Sequence, residues 1–219
     1  MYAEYLIFVY VTLVVHHAKA LPNGAPTSAC STFMPRHVNR QSGGFLSSQS
    51  LVASPYSIVV SRTNFTRNTV IRVHISDNRT TLNGYRGILL QARLNDSFSN
   101  GTQGSWMNPP QFTKLIRCNN RNDAVTHSEV INVKNETTVF EWRAPCDRDI
   151  GNVVFIATVA QTRELFWPRI TSDVVMEVSN VGSGQGPTQA DECGENEASV
   201  TYVSILSCIL TILTALSIS

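Results

Sequence analysis

The sequence predicts an all-β domain built as an antiparallel β-sandwich. Three observations carry that prediction. Seven short extended runs are separated by polar and turn-forming residues. One of these runs alternates apolar and polar side chains with a period of two. No segment combines a sustained 3.6-residue apolar repeat with capping residues at its ends.

Residues 57–60 form the first run. Residues 70–76 are the alternating one. Ile71, Val73 and Ile75 fall on one face and Arg72, His74 and Ser76 on the other, as in a half-buried strand. Residues 87–94, 113–117 and 139–143 follow. Residues 153–161 read VVFIATVAQ, and this β-branched content marks a central strand. Residues 174–178 complete the set. Asn83-Gly84 and Asn100-Gly101 signal turns, since both residue types accept positive φ. Gly182 to Gly186 (GSGQG), then Pro187, starts a flexible stalk that continues to about residue 199.

The two ends predict where the protein works. Residues 5–15 (YLIFVYVTLVV) carry no charge and are too short for a bilayer, which needs roughly 20 apolar residues. They fit the apolar centre of a signal peptide. Ala18-Lys19-Ala20 supplies the small residues of a cleavage site, so residues 1–20 are expected to be removed before Leu21. Glu4, with no Lys or Arg beside it, departs from the usual basic start. Residues 200–219 are uncharged, and no basic residue follows them. Behind a polar spacer, that is the pattern of a GPI-attachment signal. An uncleaved tail anchor is the second reading. The third is that neither applies, because Ser and Thr lower the apolarity of the run. The expected location is extracellular, at the outer face of the plasma membrane, with the membrane reached through the C-terminal tail.

Removing both ends leaves about 180 residues, enough for one domain spanning 21–180 and the stalk. The formal net charge is +1, and no basic run exceeds two residues, which argues against a nucleic-acid partner. Five N-x-[ST] sequons, at Asn64, Asn78, Asn95, Asn100 and Asn135, predict glycosylation at several surface sites. Cys208 lies in the removable tail. Cys30, Cys118, Cys146 and Cys193 remain, an even set for which two disulfides are the default in an oxidising compartment. Spacing alone leaves all three pairings open.

Several blocks, in order, resemble one known family. They begin with Gly24-Ala25-Pro26, Cys30, Met34-Pro35 and His37. The run from Tyr85 to Arg93 (YRGILLQAR) follows, then Gly104-Ser105-Trp106 with Pro109, Cys118, and Thr126-His127-Ser128. Trp142-Arg143-Ala144-Pro145, the Gly151-to-Gln161 block and Phe166-Trp167 complete the match over roughly residues 22–178. This chain resembles the reeler (reelin N-terminal) domain, above all the insect defence proteins made of that domain alone. The resemblance implies an immunoglobulin-like β-sandwich and a Cys30–Cys118 bridge, and it makes Cys146–Cys193 the second pair. It implies recognition of a microbial surface glycolipid or a cell-surface protein in innate immunity. An adhesion or matrix role in development is the alternative. Relatives with ferric reductase activity carry an added haem-binding membrane domain; that activity is not carried over, and no cofactor is expected.

The chemistry-bearing residues point the same way. His37, His74 and His127 form no metal-ligand pair, and structural or surface roles are simpler. There is no G-x-S-x-G elbow, and the acidic residues form no pair suited to acid–base work. Trp142 alternates with Phe140 and is expected in the core. Trp106, Phe166 and Trp167 lie near loop signals; core or edge packing is the simpler reading, and exposed stacking on a ligand is the functional one. Arg36 and Arg40 are candidate contacts for an anionic glycolipid, against ordinary solvated surface. The GPI and disulfide readings conflict at one point. A spacer of about 8–12 residues places attachment near residues 188–191, which would discard Cys193; Gly194 or Asn196 would keep it.

Overall fold

The computed structural model describes residues 23–81, 83–96 and 101–178. The stalk, both terminal segments, Asn100 and Cys193 lie outside the described residues. Among the described residues, eleven strands form two facing sheets and a small ribbon. One sheet contains β1 (Tyr56–Val60), β3 (Val70–Asp77), β8 (Val139–Arg143) and β5 (Ser105–Met107), in the order β1-β3-β8-β5. The other has the order β10-β9-β4-β7-β6. Its members are β4 (Gly87–Leu94), β6 (Thr113–Ile116), β7 (Ala124–His127), β9 (Val153–Ala160) and β10 (Phe166–Thr171). Pairing within both sheets is antiparallel. The ribbon, β2 (Asn64–Phe65) with β11 (Met176–Glu177), is parallel. A single turn of helix, α1 (Ala29–Thr32), precedes the strands.

The alternation in β3 holds: Ile71, Val73 and Ile75 are buried, and the residues between them face outward. Phe140 and Trp142 of β8, Trp106 of β5 and Ile58 of β1 join them across the inter-sheet layer. Ile88, Leu90 and Ala92 of β4 meet them from the other sheet, with Val153, Phe155, Ala157 and Val159 of β9. Aromatic rings in this layer meet edge to face. Trp142 lies 5.4 Å and Trp106 5.8 Å from the Phe155 ring, and Phe65 lies 5.6 Å from Trp142. Each such pair adds about 0.5–1.5 kcal/mol beyond its burial. Gly104 has φ +61°, and a Cβ there would lie 2.5 Å from the Arg143 carbonyl. Only glycine lets the chain enter β5 so close to Trp142, whose Nε1 donates to the Gln103 carbonyl at 2.9 Å.

Four strands were not legible as extended runs. The short β2 and β5 and the four-residue β7 lack room for a period. β10 carries Pro168 and a bulge at Arg169, whose φ is +59°. The Asn83-Gly84 turn exists, with Gly84 at φ +59°, but it carries the chain from β3 in one sheet to β4 in the other. It is a crossover corner, and its geometry is held by polar contacts. Tyr56 donates its hydroxyl to the Gly84 carbonyl at 2.5 Å. Arg79 donates to both oxygens of Asp77, at 2.7 and 2.5 Å, and to Tyr56 and Gln161.

β4 and β9 are buried along nearly their whole length, on both faces. Their second face is covered by the N-terminal segment. Ala29 and Phe33 pack on Leu89, Ala124, Val154 and Ile156. Cys30 is bridged to Cys118, with Cα atoms 5.7 Å apart.

Two stability predictions follow from these contacts. The bridge spans 88 positions, so the double change Cys30→Ala/Cys118→Ala should cost about 4 kcal/mol by chain entropy. Guanidinium unfolding should show it as a lower midpoint, with a loss near zero contradicting it. At the crossover corner, Arg79 holds the Asp77 carboxyl below its ordinary range through their hydrogen bonds. Its stabilisation is therefore complete above the ordinary carboxylate pKa and lost as pH falls through the lowered value. Asp77→Asn should cost about 3 kcal/mol near neutrality and progressively less on acidification. A deficit that stays constant down to acid pH would count against the pair.

Candidate ligand-binding cleft

The N-terminal segment forms a strap across the outer face of the five-stranded sheet. Its first fastening is at Gly24, where φ is +111° and a Cβ would lie 2.8 Å from the His127 carbonyl. The next residue, Ala25, donates its N–H to Thr126 Oγ1 at 2.8 Å. The disulfide is the second fastening. Around it lies a buried polar network. Gln91 Nε2 and Arg93 Nη2 both donate to the Cys30 carbonyl, at 3.2 and 2.9 Å. Arg93 Nε also donates to Gln91 Oε1 at 2.9 Å, and its guanidinium stacks over the Phe33 ring at 5.7 Å. Asp123, fully buried, accepts from the N–H groups of Cys118, Asn119 and Asn120 and from the Thr102 hydroxyl. Further on, Thr158 Oγ1 of β9 donates to the Phe33 carbonyl at 2.6 Å.

A cleft of about 600 Å³ lies between this strap, from Gly24 to Val38, and the sheet. That volume lies within the ordinary range for small-molecule sites, roughly 300–1,000 Å³. Ala29, Phe33, Ile88, Leu89, Thr158 and Ala160 are among the residues lining it. Met34, Pro35 and Val38 of the strap and Val130 and Ile131 of the loop after β7 add to the apolar lining. The charged side chains in the lining are Arg36, Arg86 and Arg163; no carboxylate lines it among the described residues.

The walls are held by hydrogen bonds. His37 donates Nδ1–H to the Arg163 carbonyl at 2.6 Å, and Arg163 Nη2 returns a bond to the Val38 carbonyl. Burial holds the His37 pKa below its ordinary value, opposed by that carbonyl acceptor. The Ile88 N–H donates to His127 Nδ1 at 3.2 Å. On the opposite wall, the loop of residues 128–134 wraps the Lys134 ammonium. Lys134 donates to the carbonyls of Arg86, Glu129 and Asn132 at 2.8–3.0 Å. Burial pushes its pKa down to about 8, so it stays charged at neutral pH. Arg86 braces the same loop through the carbonyls of Val130 and Ile131.

The predicted site residues divide cleanly. Trp106, Phe166 and Trp167 are 1%, 0% and 5% exposed, so the ligand-stacking reading is corrected in favour of core packing. Trp106 packs between the sheets, Trp167 meets Tyr56 edge-on at 5.3 Å, and Phe166 meets His37 at 5.5 Å. The signals that suggested loops were strand ends. His37 and His127 line the cleft, while His74 faces outward from β3. Arg36 lines it and Arg40 does not. Asn64, Asn78, Asn95 and Asn135 are exposed. Cys146 is disulfide-bonded, and Cys193, expected to pair with it, lies outside the described residues. Sequence reasoning missed Arg86, Arg163, Val130 and Ile131. They come from three separated loops; Arg86 meets Val130 and Ile131 by direct hydrogen bonds, and the strap joins Arg163 to the site through Val38.

Comparison with known proteins points to one family. The family model described as "Reeler domain" matches residues 28–183. The Antheraea mylitta protein named "Putative defense protein 3" is 34% identical over 178 residues, covering 80% of this chain and 99% of that protein. The Drosophila melanogaster protein named "Putative ferric-chelate reductase 1 homolog" is 31% identical, but the match covers only 28% of its length. Among solved structures, the human F-spondin reeler domain aligns with a TM-score of 0.46 and 22% identity, covering 57% of this chain and 89% of that one. With its strap, bridge and two sheets accounted for, the chain belongs to the reeler domain family.

Proposed function

We propose that this protein is an extracellular recognition module of invertebrate innate defence, which binds microbial surface components or blood cells and performs no catalysis. The observation that carries the reading is the cleft. Its lining of apolar side chains and arginines is suited to holding a ligand, and it stands on the most buried strands of the fold. The defence setting is supported by relatives named as defense proteins, matched over nearly their full length. The described sequon residues Asn64, Asn78, Asn95 and Asn135 are exposed and are not among the residues lining the cleft.

The proposal includes a tether. The uncharged run of residues 200–219 supports a GPI signal, which would hold the domain at the outer face of the plasma membrane.

Two experiments check these points. Mature protein secreted from insect cells should be retained by whole bacteria or lipopolysaccharide, or by blood cells, well above a control domain of the same fold. Retention equal to the control on all of these would overturn the recognition reading. Full-length protein on cell surfaces should be released by phosphatidylinositol-specific phospholipase C, with a lipid remnant at its new C-terminus by mass spectrometry. Persistence on the membrane with residues 200–219 intact would replace the lipid with an uncleaved anchor.

A further inference from the structure

We infer that the cleft takes the hydrocarbon chain of a single-chain anionic lipid, with the carboxylate or phosphate head received by Arg36, Arg86 and Arg163. The inference rests on reading the cleft as the ligand site, and it names the chemistry of the occupant. Three observations carry it.

The first is the division of the lining. Strap and sheet contribute alkyl and aromatic surface, and every charged lining residue is an arginine. Such a surface matches a ligand that is apolar over most of its length and anionic at one end. Of the neutral polar lining side chains, His37, His127 and Thr158 are already hydrogen-bonded within the protein, so a neutral sugar would find chiefly Ser28, Thr162 and the arginines. An extended polyanion would find three guanidinium groups and a large apolar area with nothing to cover it.

The second is Arg163. This side chain is 23% exposed, and its Nε is a buried donor without an acceptor among the described residues. Its Nη2 is committed to the Val38 carbonyl, and its Nη1 lies 3.9 Å from Glu164, which is 64% exposed. The guanidinium is thus only loosely neutralised at the cleft wall, and an anionic head group would complete its charge pairing.

The third is the apolar residues exposed around the cleft. Ile131 lines it and is 80% exposed. Phe45, 65% exposed, lies opposite the lining residue Val38 in the hairpin that follows the strap. The Arg36 guanidinium sits 5.9 Å from the Phe45 ring centroid. Exposed apolar side chains beside cations form a landing surface for an amphiphile, with the cleft beyond it.

The test uses the intact secreted glycoprotein and the fluorescent fatty acid cis-parinaric acid, displaced by dodecanoate, dodecyl phosphate or dodecanol. Both anions should displace the probe at least tenfold more effectively than the alcohol, the size expected for a lost charge-assisted hydrogen bond. Val130→Trp fills the cleft from its loop wall and should abolish probe binding. Arg163→Gln should weaken dodecanoate about tenfold more than dodecanol, because losing its bond to the Val38 carbonyl acts on both ligands alike. Far-UV circular dichroism of both variants should match the parent, and Arg36→Gln, a change at an exposed side chain, serves as the second charge variant. Absence of probe binding, equal displacement by alcohol and anions, or full binding by Val130→Trp would each overturn the inference. Bacterial retention is measured on the same variants. If retention persists in Val130→Trp while lipid binding is lost, recognition uses another surface and the lipid assignment stands alone. If lipid binding fails and retention remains, the proposed function stands and this inference does not.

Discussion

The attachment of the N-terminal strap to the five-stranded sheet is the constraint on which the rest depends. The outer face of that sheet carries Leu89, Val154 and Ile156, which need cover, and Gln91 and Arg93, which need partners. One short segment meets both needs. Ala29 and Phe33 cover the apolar residues, while the Cys30 carbonyl accepts from the two polar ones. The disulfide fixes the segment at the point where these two roles meet. Asp123 then ties the far side of the bridge to the backbone of residues 118–120. A cavity without the bridge would lose one wall.

From that attachment the cleft follows as a geometric consequence. The strap is pinned at Gly24, Cys30 and Phe33, and again where His37 and Val38 bond Arg163. The strap lines the cleft along this whole path, from Gly24 to Val38. Lys134 and Arg86 hold the loop on the other side away from it by binding its carbonyls. The site is therefore built by packing and hydrogen bonds that exist before any ligand arrives, which lowers the ordering cost of binding. Arginines recruited as struts also set the charge at the rim.

Much of the fold was legible because its signals were local. The alternation of residues 70–76 named the buried face of β3, and the β-branched run of residues 153–161 named a central strand. The double-sided burial of β4 and β9 was less visible, because an apolar run does not say what covers its second face. The aromatic pair Phe166-Trp167 shows the limit in the other direction. The pair lies near loop signals in the sequence, yet the chain bulges after Trp167 and stays in the sheet, which buries both rings. The cleft itself left almost no trace. Arg36, Arg86, Val130 and Arg163 carry no shared motif, and their meeting depends on contacts between residues more than 100 positions apart.

If the space between strap and sheet receives the ligand, as proposed, amide hydrogen exchange of the intact protein with and without lipopolysaccharide will register it. Slower exchange is expected in residues 33–38, 86–89, 128–134 and 160–163, with the outward face of β1, β3 and β8 unchanged. Protection confined to that four-stranded sheet, with the strap exchanging as before, would contradict it.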